Sequence, residues 1–470
     1  MAISAPADGA DDAPNDAPND EPNDGEDHAQ AGAADAAPND VDGSEESAAD
    51  DRIDRPDGPR EAAVRYLRDH AVHAAVVLAF GLYPLVYGAL TGSPLGDEFA
   101  VVLPRVRTMI AVFYVGLFAM SFDFVSGYTG YLSFGHAMFY GTGAYLVVMA
   151  ANGALPLLGA ETPFMALLVV AALLGAAFAL LVGSVSFRLT GVYFAMVTLG
   201  FAVVAHVFIR NWDRVSDNPR DGAAVTSPDG FALGVPGVEE LQWSIGRLVG
   251  DSVGNAFGIG LDLGAAEVSY YLIGAVTLLC YFALQRVLHS PFGRVMVAIR
   301  ENEERARAVG YDTFRYKMGA FAISGAFASV AGALFAGYRR SVAPSSTFDL
   351  FVTADALLAS IIGGFGTLAG ALYGHLFHET MGGMLTTESD GLARYLRETL
   401  PESLLTADLA GVEVVQGVNV LIDGRADLYL GLIFIAFVLF VPRGLLGTLR
   451  DRLGGTVAEA AAERLRRWSP

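Results

Sequence analysis

Residues 290–317 form a charged segment inside a sequence that is otherwise strongly apolar. Ser290 followed by Pro291 is typical of a helix N-cap and first helical position, and Gly310 stands where a C-cap glycine is expected. Opposite charges recur at four-residue spacing, which favours one salt-bridged helix surface. The pairs are Arg300 with Glu304, Glu301 with Arg305, and Glu303 with Arg307. The segment therefore predicts a short, stiff helix with a charged rim, and the plain alternative is an ordinary solvated loop helix.

A second set of residues that could do chemistry lies inside or beside apolar runs. Asp123, His136 and Asp355 carry ionisable groups, which are costly in hydrocarbon and therefore pair with a neighbour or line a path for a polar solute. Nearby hydroxyls and glycines offer hydrogen bonds or a sharp backbone turn, and a bond to a neighbouring helix is the plain alternative for each hydroxyl. The candidate path residues are Asp123, Ser133, His136, Tyr193, Thr198, Asp355, Gly363, Gly364 and Gly366.

The basic residues and the single cysteine exclude several chemistries. Lys317 is the only lysine, and because Met318 follows it, the sequence contains no Gly-Lys-Ser/Thr phosphate-binding loop. A retinal Schiff base needs a lysine inside a span, whereas Lys317 lies at the edge of one. Cys280 stands alone, so disulfides and thiolate clusters are excluded. We predict no catalytic residues, no metal site, no cofactor and no nucleic-acid partner for this chain.

The composition of the 470 residues places the chain among membrane proteins. Hydrophobic residues make up 53% and charged residues only 17%, and several apolar runs are long enough to cross a bilayer. We predict an all-α, polytopic integral membrane protein with about ten transmembrane helices. The predicted spans lie near 71–92, 106–124, 133–151, 164–187, 191–209, 268–288, 318–337, 350–366, 368–380 and 427–442.

The N-terminal segment 1–60 differs from the rest in composition. It holds eighteen Asp and Glu against three Arg, so about −15 of the formal net charge of −21 lies there, and Pro-Asn-Asp occurs four times. Such a sequence buries too little apolar surface to fold, and it lacks the basic and apolar regions of a signal peptide. We predict a disordered acidic tail, a transmembrane domain over 61–450 and a cytoplasmic interfacial tail over 451–470. The acidic excess and the near-exclusive use of arginine also suggest a salt-adapted organism.

Loop charge predicts the orientation in the cytoplasmic membrane. Ten crossings place both termini on one side, and most arginines near the spans then fall in the cytoplasm, as the positive-inside rule requires. Segment 289–317 becomes a cytoplasmic loop, while 210–267 and 381–426 become external loops. The arginines that fall on the outer side, against the rule, are Arg105, Arg107, Arg339 and Arg340. We therefore predict a multi-pass protein of the cell membrane with both termini in the cytoplasm.

Five blocks of the sequence resemble the branched-chain amino-acid permease family of ABC importers, in particular its LivM-type subunit. The blocks are GYTGYLSFGHAMFYGTGAYL at 127–146, SFRLTGVYFAMVTLGFA at 186–202, SPFGRVMVAIRENEERARAVGYD at 290–312, IIGGFGTLAGALYG at 361–374 and LFVPRGLLG at 439–447. They occur in the family's order, and the resemblance covers roughly residues 105–447. One such block is modest evidence, whereas five in order are specific.

The resemblance implies a division of labour among several chains. It implies a LivH-like second permease subunit, two ABC ATPase subunits, an extracellular substrate-binding protein and a surrounding lipid bilayer. ATP hydrolysis then resides in partner chains, while this chain moves branched-chain amino acids by alternating access. The charged segment corresponds to the family's coupling loop, which a partner ATPase contacts. By position, the coupling residues are Glu301, Glu303, Glu304, Arg305, Ala306, Arg307 and Gly310.

The sequence leaves other functions open. Members of the same family move urea, short amides or other amino acids, and the few pocket residues do not separate these solutes. An ion-driven secondary transporter would show inverted repeats and carboxylates at mid-membrane, for which Asp123 and Asp355 are candidates. A structural or sensory membrane protein with a docking loop is a third class.

Overall fold

The structure is a computed structural model that describes residues 71–93, 103–159, 161–226, 261–385 and 426–441, together with short pieces between and beyond them. The predicted acidic tail over 1–60, the C-terminal tail over 451–470 and much of the two predicted external loops lie outside the described residues. One helical bundle accounts for most of the described chain.

Helices dominate the described residues and confirm the all-α, polytopic prediction. The first six are α1 (Ala71–Thr91), α2 (Val106–Thr129), α3 (Ala137–Ala151), α4 (Phe164–Ser186), α5 (Val192–Arg210) and α6 (Ala265–Leu288). They are followed by α7 (Pro291–Glu301), α8 (Glu303–Ala308), α9 (Thr313–Arg339), α10 (Pro344–Thr347), α11 (Leu350–Gly363), α12 (Leu368–Leu385) and α13 (Ala426–Phe440). Each predicted span coincides with a helix, because a continuous apolar run of this length satisfies its backbone most simply as a helix.

Six helical segments in the described part of the chain are long and apolar enough to cross a membrane. They are Val106–Thr129, Phe164–Ser186, Val192–Arg210, Ala266–Leu288, Thr313–Arg339 and Pro344–Gly363. Shorter apolar helices are Val77–Thr91, Ala137–Ala151 and Leu428–Phe440. The short helices α11 and α12 pack against each other and are joined by a glycine-rich turn, as the glycines at 363–366 predict.

Strands are short and lie in the connections between helices. The described antiparallel ladders are β1 (Ala223–Ala224) with β6 (Ser341–Val342), β2 (Phe231–Ala232) with β3 (Gln242–Trp243), β4 (Val253–Ala256) with β5 (Leu261–Leu263), and β7 (Asp408–Leu409) with β8 (Val412–Glu413). The β1–β6 ladder joins the connection after α5 to the connection after α9. Asn152, just after α3, reinforces it by donating a hydrogen bond to the Ala224 carbonyl at 2.9 Å.

The core forms where α9 crosses α3 and α4 at very close range. A Cβ atom placed on Gly143 of α3 would lie 1.8 Å from the carbonyl oxygen of Ser329 on α9. A Cβ on Gly332 of α9 would lie 1.8 Å from the carbonyl oxygen of Tyr140, and one on Gly175 of α4 would lie 2.3 Å from a backbone oxygen of α9. Small residues let helix backbones approach closely, which matters in a membrane because packing rather than water exclusion holds the helices together.

The path of α9 defines two ends of the bundle. Its 27 residues span about 40 Å. Residues near its start contact α7 and α8, whereas the chain beyond Arg339 enters β6. We call these the α7–α8 end and the β1–β6 end. The charged segment and residues 210–226 therefore lie at opposite ends of the bundle.

The prediction of a single helix in the charged segment is wrong, because α7 and α8 are separate helices that meet at Asn302. The Asn302 backbone is extended (φ −164°, ψ 105°), and its side-chain oxygen accepts a hydrogen bond from the Arg305 backbone N–H at 2.8 Å. Asparagine is a strong N-cap residue, so it ends one helix and begins the next. Of the three predicted charge pairs, only Glu303–Arg307 forms within the described residues, at 2.9 Å, since the other two straddle the break.

Gly310 terminates α8 in the position that the sequence predicts. Its φ of 97° lies in the left-handed region, and its N–H donates to the Arg307 carbonyl at 3.0 Å. The N–H of Tyr311 donates to the Ala306 carbonyl at 3.2 Å. This pair of bonds is a Schellman motif, which glycine adopts without strain at Cβ. The chain thereby turns sharply out of α8 toward α9.

We expect Gly143→Ala to destabilise the protein, because the new methyl group would overlap the α9 backbone. Overpacking of about 1–3 kcal/mol lowers the melting temperature by a few degrees, which thermal unfolding in detergent micelles measures. Gly200→Ala is the matched control, since Gly200 is a helical glycine of α5 with open space where its Cβ would stand. Equal melting temperatures for the two variants would contradict the close contact between α3 and α9.

Candidate functional site

Glu303, the first residue of α8, is the centre of a polar cluster at the α7–α8 end. Its Oε1 accepts hydrogen bonds from Lys317 Nζ at 2.8 Å, Arg307 Nη2 at 2.9 Å and Thr313 Oγ1 at 3.0 Å. Its Oε2 accepts one from the Tyr131 hydroxyl at 2.5 Å. We call these five residues the Glu303 cluster. The cluster joins α8 to the start of α9 and to the connection between α2 and α3.

Lys317 is the deeply buried cation of the Glu303 cluster. Its side chain is 4% exposed, and its Nζ lies 4.6 Å from the ring centroid of Tyr131 and 5.6 Å from that of Phe187. A buried ammonium group needs an anionic partner, and aromatic faces add cation–π attraction. Burial would raise the pKa of Glu303, but hydrogen bonds from Lys317, Tyr131 and Thr313 lower it to about 2. The carboxylate is therefore ionised at neutral pH.

Arg300, near the end of α7, makes a second connection to the spans. Its Nη1 donates a hydrogen bond to the carbonyl oxygen of Gly127, near the end of α2, at 2.6 Å. Gly366, in the turn between α11 and α12, donates its N–H to Oδ1 of Asp123 at 2.8 Å. A Cβ on Gly366 would lie 2.9 Å from Arg300 Nη1, so these groups meet at one point. We call this set of four residues the Arg300 contact.

The outer surface of α7 and α8 is exposed and mixed in character. The predicted coupling residues that are exposed are Glu301, Glu304, Arg305, Arg307 and Gly310. Large apolar side chains lie near them in the chain: Val309 is 70% exposed, and Tyr311 and Phe314 are also exposed. Ala306 instead is buried in a small apolar cluster with α7. A surface on which charges surround exposed apolar groups is typical of a protein-docking site, and we call it the docking face.

The predicted path residues do not form one site. Asp123 and Gly366 belong to the Arg300 contact, and within the described residues Oδ2 of Asp123 has no hydrogen-bond partner. Gly363 and Gly364 form the α11–α12 turn, where a Cβ on Gly363 would lie 1.7 Å from the carbonyl oxygen of Gly370. These glycines therefore permit close helix packing at the α7–α8 end.

His136 lies deeper, in an aromatic pocket between α2, α3 and α9. The rings around it are Phe118, Phe122, Phe139 and Phe321. Its Nε2 lies 3.1 Å from the Ser324 hydroxyl oxygen, and that hydroxyl donates to the Ser121 carbonyl at 2.5 Å. This geometry matches the plain alternative of a bond to a neighbouring helix. Ser133 is also buried, and its hydroxyl has no hydrogen-bond partner among the described residues.

Tyr193 and Thr198, both on α5, lie apart from the other path residues. Thr198 is buried and donates a hydrogen bond to the Ala195 carbonyl of its own helix at 2.8 Å. Tyr193 is 69% exposed on the surface of the bundle. The structure therefore does not bring these two side chains to Asp355, which lines a cavity described next.

A cavity of about 710 Å³ lies toward the β1–β6 end, with walls from α2, α3, α9, α11 and α12. Asp355 is the one predicted path residue in its described lining, where Arg339 and Glu379 are also found. Sequence reasoning missed both as site residues, although Arg339 is one of the arginines that break the positive-inside rule. Within the described residues, no group of three or more His, Cys, Asp or Glu is placed to hold a metal ion.

Comparison with known proteins identifies relatives of this chain. Residues 105–386 match the family described as branched-chain amino acid transport system / permease component. The high-affinity branched-chain amino acid transport system permease protein LivM of Salmonella typhimurium is 31% identical over 263 residues, covering 56% of this chain and 58% of the relative. LivM of Escherichia coli is 31% identical, with 53% and 56% covered. The permease protein LivH of Salmonella typhimurium is 27% identical, with 55% and 78% covered.

These matches differ in how much of each protein they cover. The chain spans less than two thirds of the length of either LivM relative. No solved structure matches the chain. The family match, however, covers more than half of the chain and includes the Glu303 cluster, the Arg300 contact and the cavity. The chain therefore belongs to the branched-chain amino acid transport system permease family, whose members are transport subunits without a catalytic site or cofactor of their own.

Proposed function

We propose that this chain is the LivM-type permease subunit of an ATP-binding-cassette importer that moves branched-chain amino acids by alternating access. The observation that carries the proposal is the position of α7 and α8. Their inner surface is fastened to the spans by the Glu303 cluster and the Arg300 contact, while the docking face is exposed. The likeness to LivM and LivH permeases supports the substrate class.

The docking face receives the movement of a partner ATPase in this proposal. A partner groove that closes when ATP binds displaces α7 and α8 as one short, rigid unit. The Glu303 cluster reaches α9 directly, and the Arg300 contact reaches α2 and the α11–α12 turn. The displacement therefore passes to the spans through hydrogen bonds rather than through a flexible loop. Nucleotide drives transport only if it favours one of two arrangements of the bundle.

The proposed complex contains a LivH-like second permease subunit, two ABC ATPase subunits and an extracellular substrate-binding protein. In it, the α7–α8 end and both termini face the cytoplasm, and the β1–β6 end faces outward. Exposed apolar side chains on α4 and α5, among them Leu173, Met196 and Val204, face lipid or the second permease subunit. A salt-adapted source rests on the composition alone and stays a prediction.

Reconstitution of the complete complex in proteoliposomes tests the proposed function. We expect leucine uptake that requires ATP on the α7–α8 side and the binding protein on the other, because this chain has no phosphate-binding loop of its own. Urea and short amides, offered under the same conditions, separate branched-chain amino acids from the family's other solutes. Leucine uptake that persists without ATP and follows an ion gradient would contradict the proposal and support a secondary transporter.

We expect Lys317→Met to uncouple ATP hydrolysis from uptake. The substitution leaves the Glu303 carboxylate without its ammonium partner, which costs about 3–5 kcal/mol for a buried pair, and of the bonds from α9 to Glu303 only that of Thr313 remains. The ratio of leucine imported to ATP hydrolysed should fall several-fold. The double variant Glu303→Gln/Lys317→Met removes both charges, so it should recover much of the melting temperature that the single variant loses. Its ratio of leucine imported to ATP hydrolysed should stay low.

Arg315→Gln is the matched control for this experiment. Arg315 pairs with Asp312 at 2.9 Å in the same segment, but the two side chains are 84% and 53% exposed, and exposed pairs contribute little. We expect its melting temperature and transport ratio to equal those of the wild type. A wild-type transport ratio in the double variant would show that the Glu303–Lys317 pair serves folding and not coupling.

We expect Gly310→Val to reduce leucine uptake more than Gly310→Asn does. The position requires a φ of 97°, and left-handed backbone costs about 1–2 kcal/mol for most residues but is tolerated better by asparagine. Open space surrounds a Cβ at this position, so backbone strain and not a clash separates the two variants. Uptake is measured at matched membrane abundance. Equal uptake by both variants would mean that the turn after α8 has no part in coupling.

A further inference from the structure

The cavity toward the β1–β6 end reaches deep into the bundle. At one end it is lined by residues of the ladder region, such as Gly222 and Val342. At the other it is lined by Phe118, at the middle of α2, and Tyr140, in the first turn of α3. The rings of Phe118 and Tyr140 have centroids 4.9 Å apart, and Phe335 lies 5.5 Å from Tyr140. These rings form an aromatic floor halfway along the bundle.

The lining of the cavity carries both signs of charge on a largely apolar wall. Arg339 ends α9, Asp355 lies in α11 and Glu379 lies in α12, so three separate helices supply the charges. Val115 and Val352 contribute apolar surface between them. Ionisable residues inside a membrane bundle are expensive and usually face a partner, a cavity or a solute pathway. Together with Asp221, which is exposed in the connection after α5, one cationic and three anionic side chains line the same space.

We propose that this cavity binds the transported amino acid directly, as a free zwitterion. The α-carboxylate is held by Arg339, and the α-ammonium group by Asp355 and Glu379. The apolar side chain of the amino acid packs on the aromatic floor and the valine surface. The inference rests on the proposed importer function and adds to it the place of binding and the charges that select the solute.

The charges that line the cavity favour a zwitterion over uncharged or singly charged solutes. An uncharged solute such as urea, an amide or a sugar would desolvate the Arg339 guanidinium and the Glu379 carboxylate without pairing either. A simple cation or anion would pair with one sign and meet the other as a like charge. A zwitterion with an apolar tail satisfies both signs and the wall. The volume of about 710 Å³ lies within the range of roughly 300–1,000 Å³ that is usual for small-molecule sites.

Equilibrium binding of radiolabelled leucine to the complete complex in lipid nanodiscs tests the cavity, with the extracellular binding protein left out. Glu379→Gln removes one charge at the same side-chain length, and Arg339→Gln removes the guanidinium charge and shortens the side chain. We expect each to weaken leucine binding by about tenfold or more, because Arg339→Gln leaves the carboxylate of the ligand unpaired and Glu379→Gln removes one of the two carboxylates that hold its ammonium group. Arg210→Gln and Asp213→Asn are the matched controls, since both residues are exposed near the same end of the bundle and outside the described cavity lining.

Two leucine analogues with a single charge make the test specific for charge recognition. Isopentylamine lacks the carboxylate, and 4-methylpentanoate lacks the ammonium group. We expect the wild type to bind both weakly. Arg339→Gln should reduce the difference in affinity between leucine and isopentylamine. Glu379→Gln should reduce the difference in affinity between leucine and 4-methylpentanoate. If either side chain had a purely structural role, its substitution would weaken the binding of all three ligands to the same extent.

The outcomes separate the cavity from the importer function. Leucine binding at wild-type strength in both cavity variants would overturn the inference, as would the absence of leucine binding by the wild type. If ATP-dependent leucine uptake then stands, only the cavity assignment fails. Leucine binding that depends on Arg339 and Glu379, in a complex that shows no ATP-dependent uptake, would support the site and overturn the importer function alone.

Discussion

A lysine buried near the start of a membrane span needs an anionic partner, and in this protein the anion comes from a helix outside the bundle. Lys317 is 4% exposed, and the desolvation of its ammonium group is offset by the carboxylate of Glu303 at 2.8 Å. This requirement sets the position of α8, since Glu303 must point inward from its first turn. The break at Asn302 makes that possible, because it turns α8 independently of α7 while Arg300 holds α7 against α2.

Within the bundle, polar side chains fall into two groups that differ in what surrounds them. His136 and Ser324 meet across two helices, where each lowers the cost of burying the other in an aromatic environment. Arg339, Asp355 and Glu379 line open volume instead. Helix crossings built on glycine keep the first group tightly packed and leave the space that the second group lines. The glycine crossings lie near mid-bundle, and the cavity extends from there toward the β1–β6 end.

Sequence patterns predicted the features that depend on local physics. Long apolar runs marked the helices, and Gly310 marked the end of α8, because hydropathy and left-handed backbone are properties of neighbouring residues. The four-residue charge spacing wrongly predicted a single helix, because the spacing continues through Asn302 while the helix does not. The N-cap preference of asparagine was the signal that would have predicted the break. Asp123 and Asp355 look alike in sequence, yet one binds the Gly366 N–H and the other lines the cavity. That difference, like the placement of Arg339 and Glu379 in the lining of one cavity, arises from packing between distant segments, which local spacing does not encode.

The helix α9 is continuous from Thr313 to Arg339 and contains no proline, which would remove a hydrogen bond from its interior. It carries Lys317 near one tip and Arg339 at the other, and the glycine crossings with α3 and α4 grip it between them. A rigid helix that is held near its middle and pushed at one end moves its other end in the opposite direction. In the proposed mechanism, inward movement of α8 tilts α9 and displaces the Arg339 guanidinium at its far end in the opposite direction. A single tilt would then link movement at the docking face to release of the solute from the cavity.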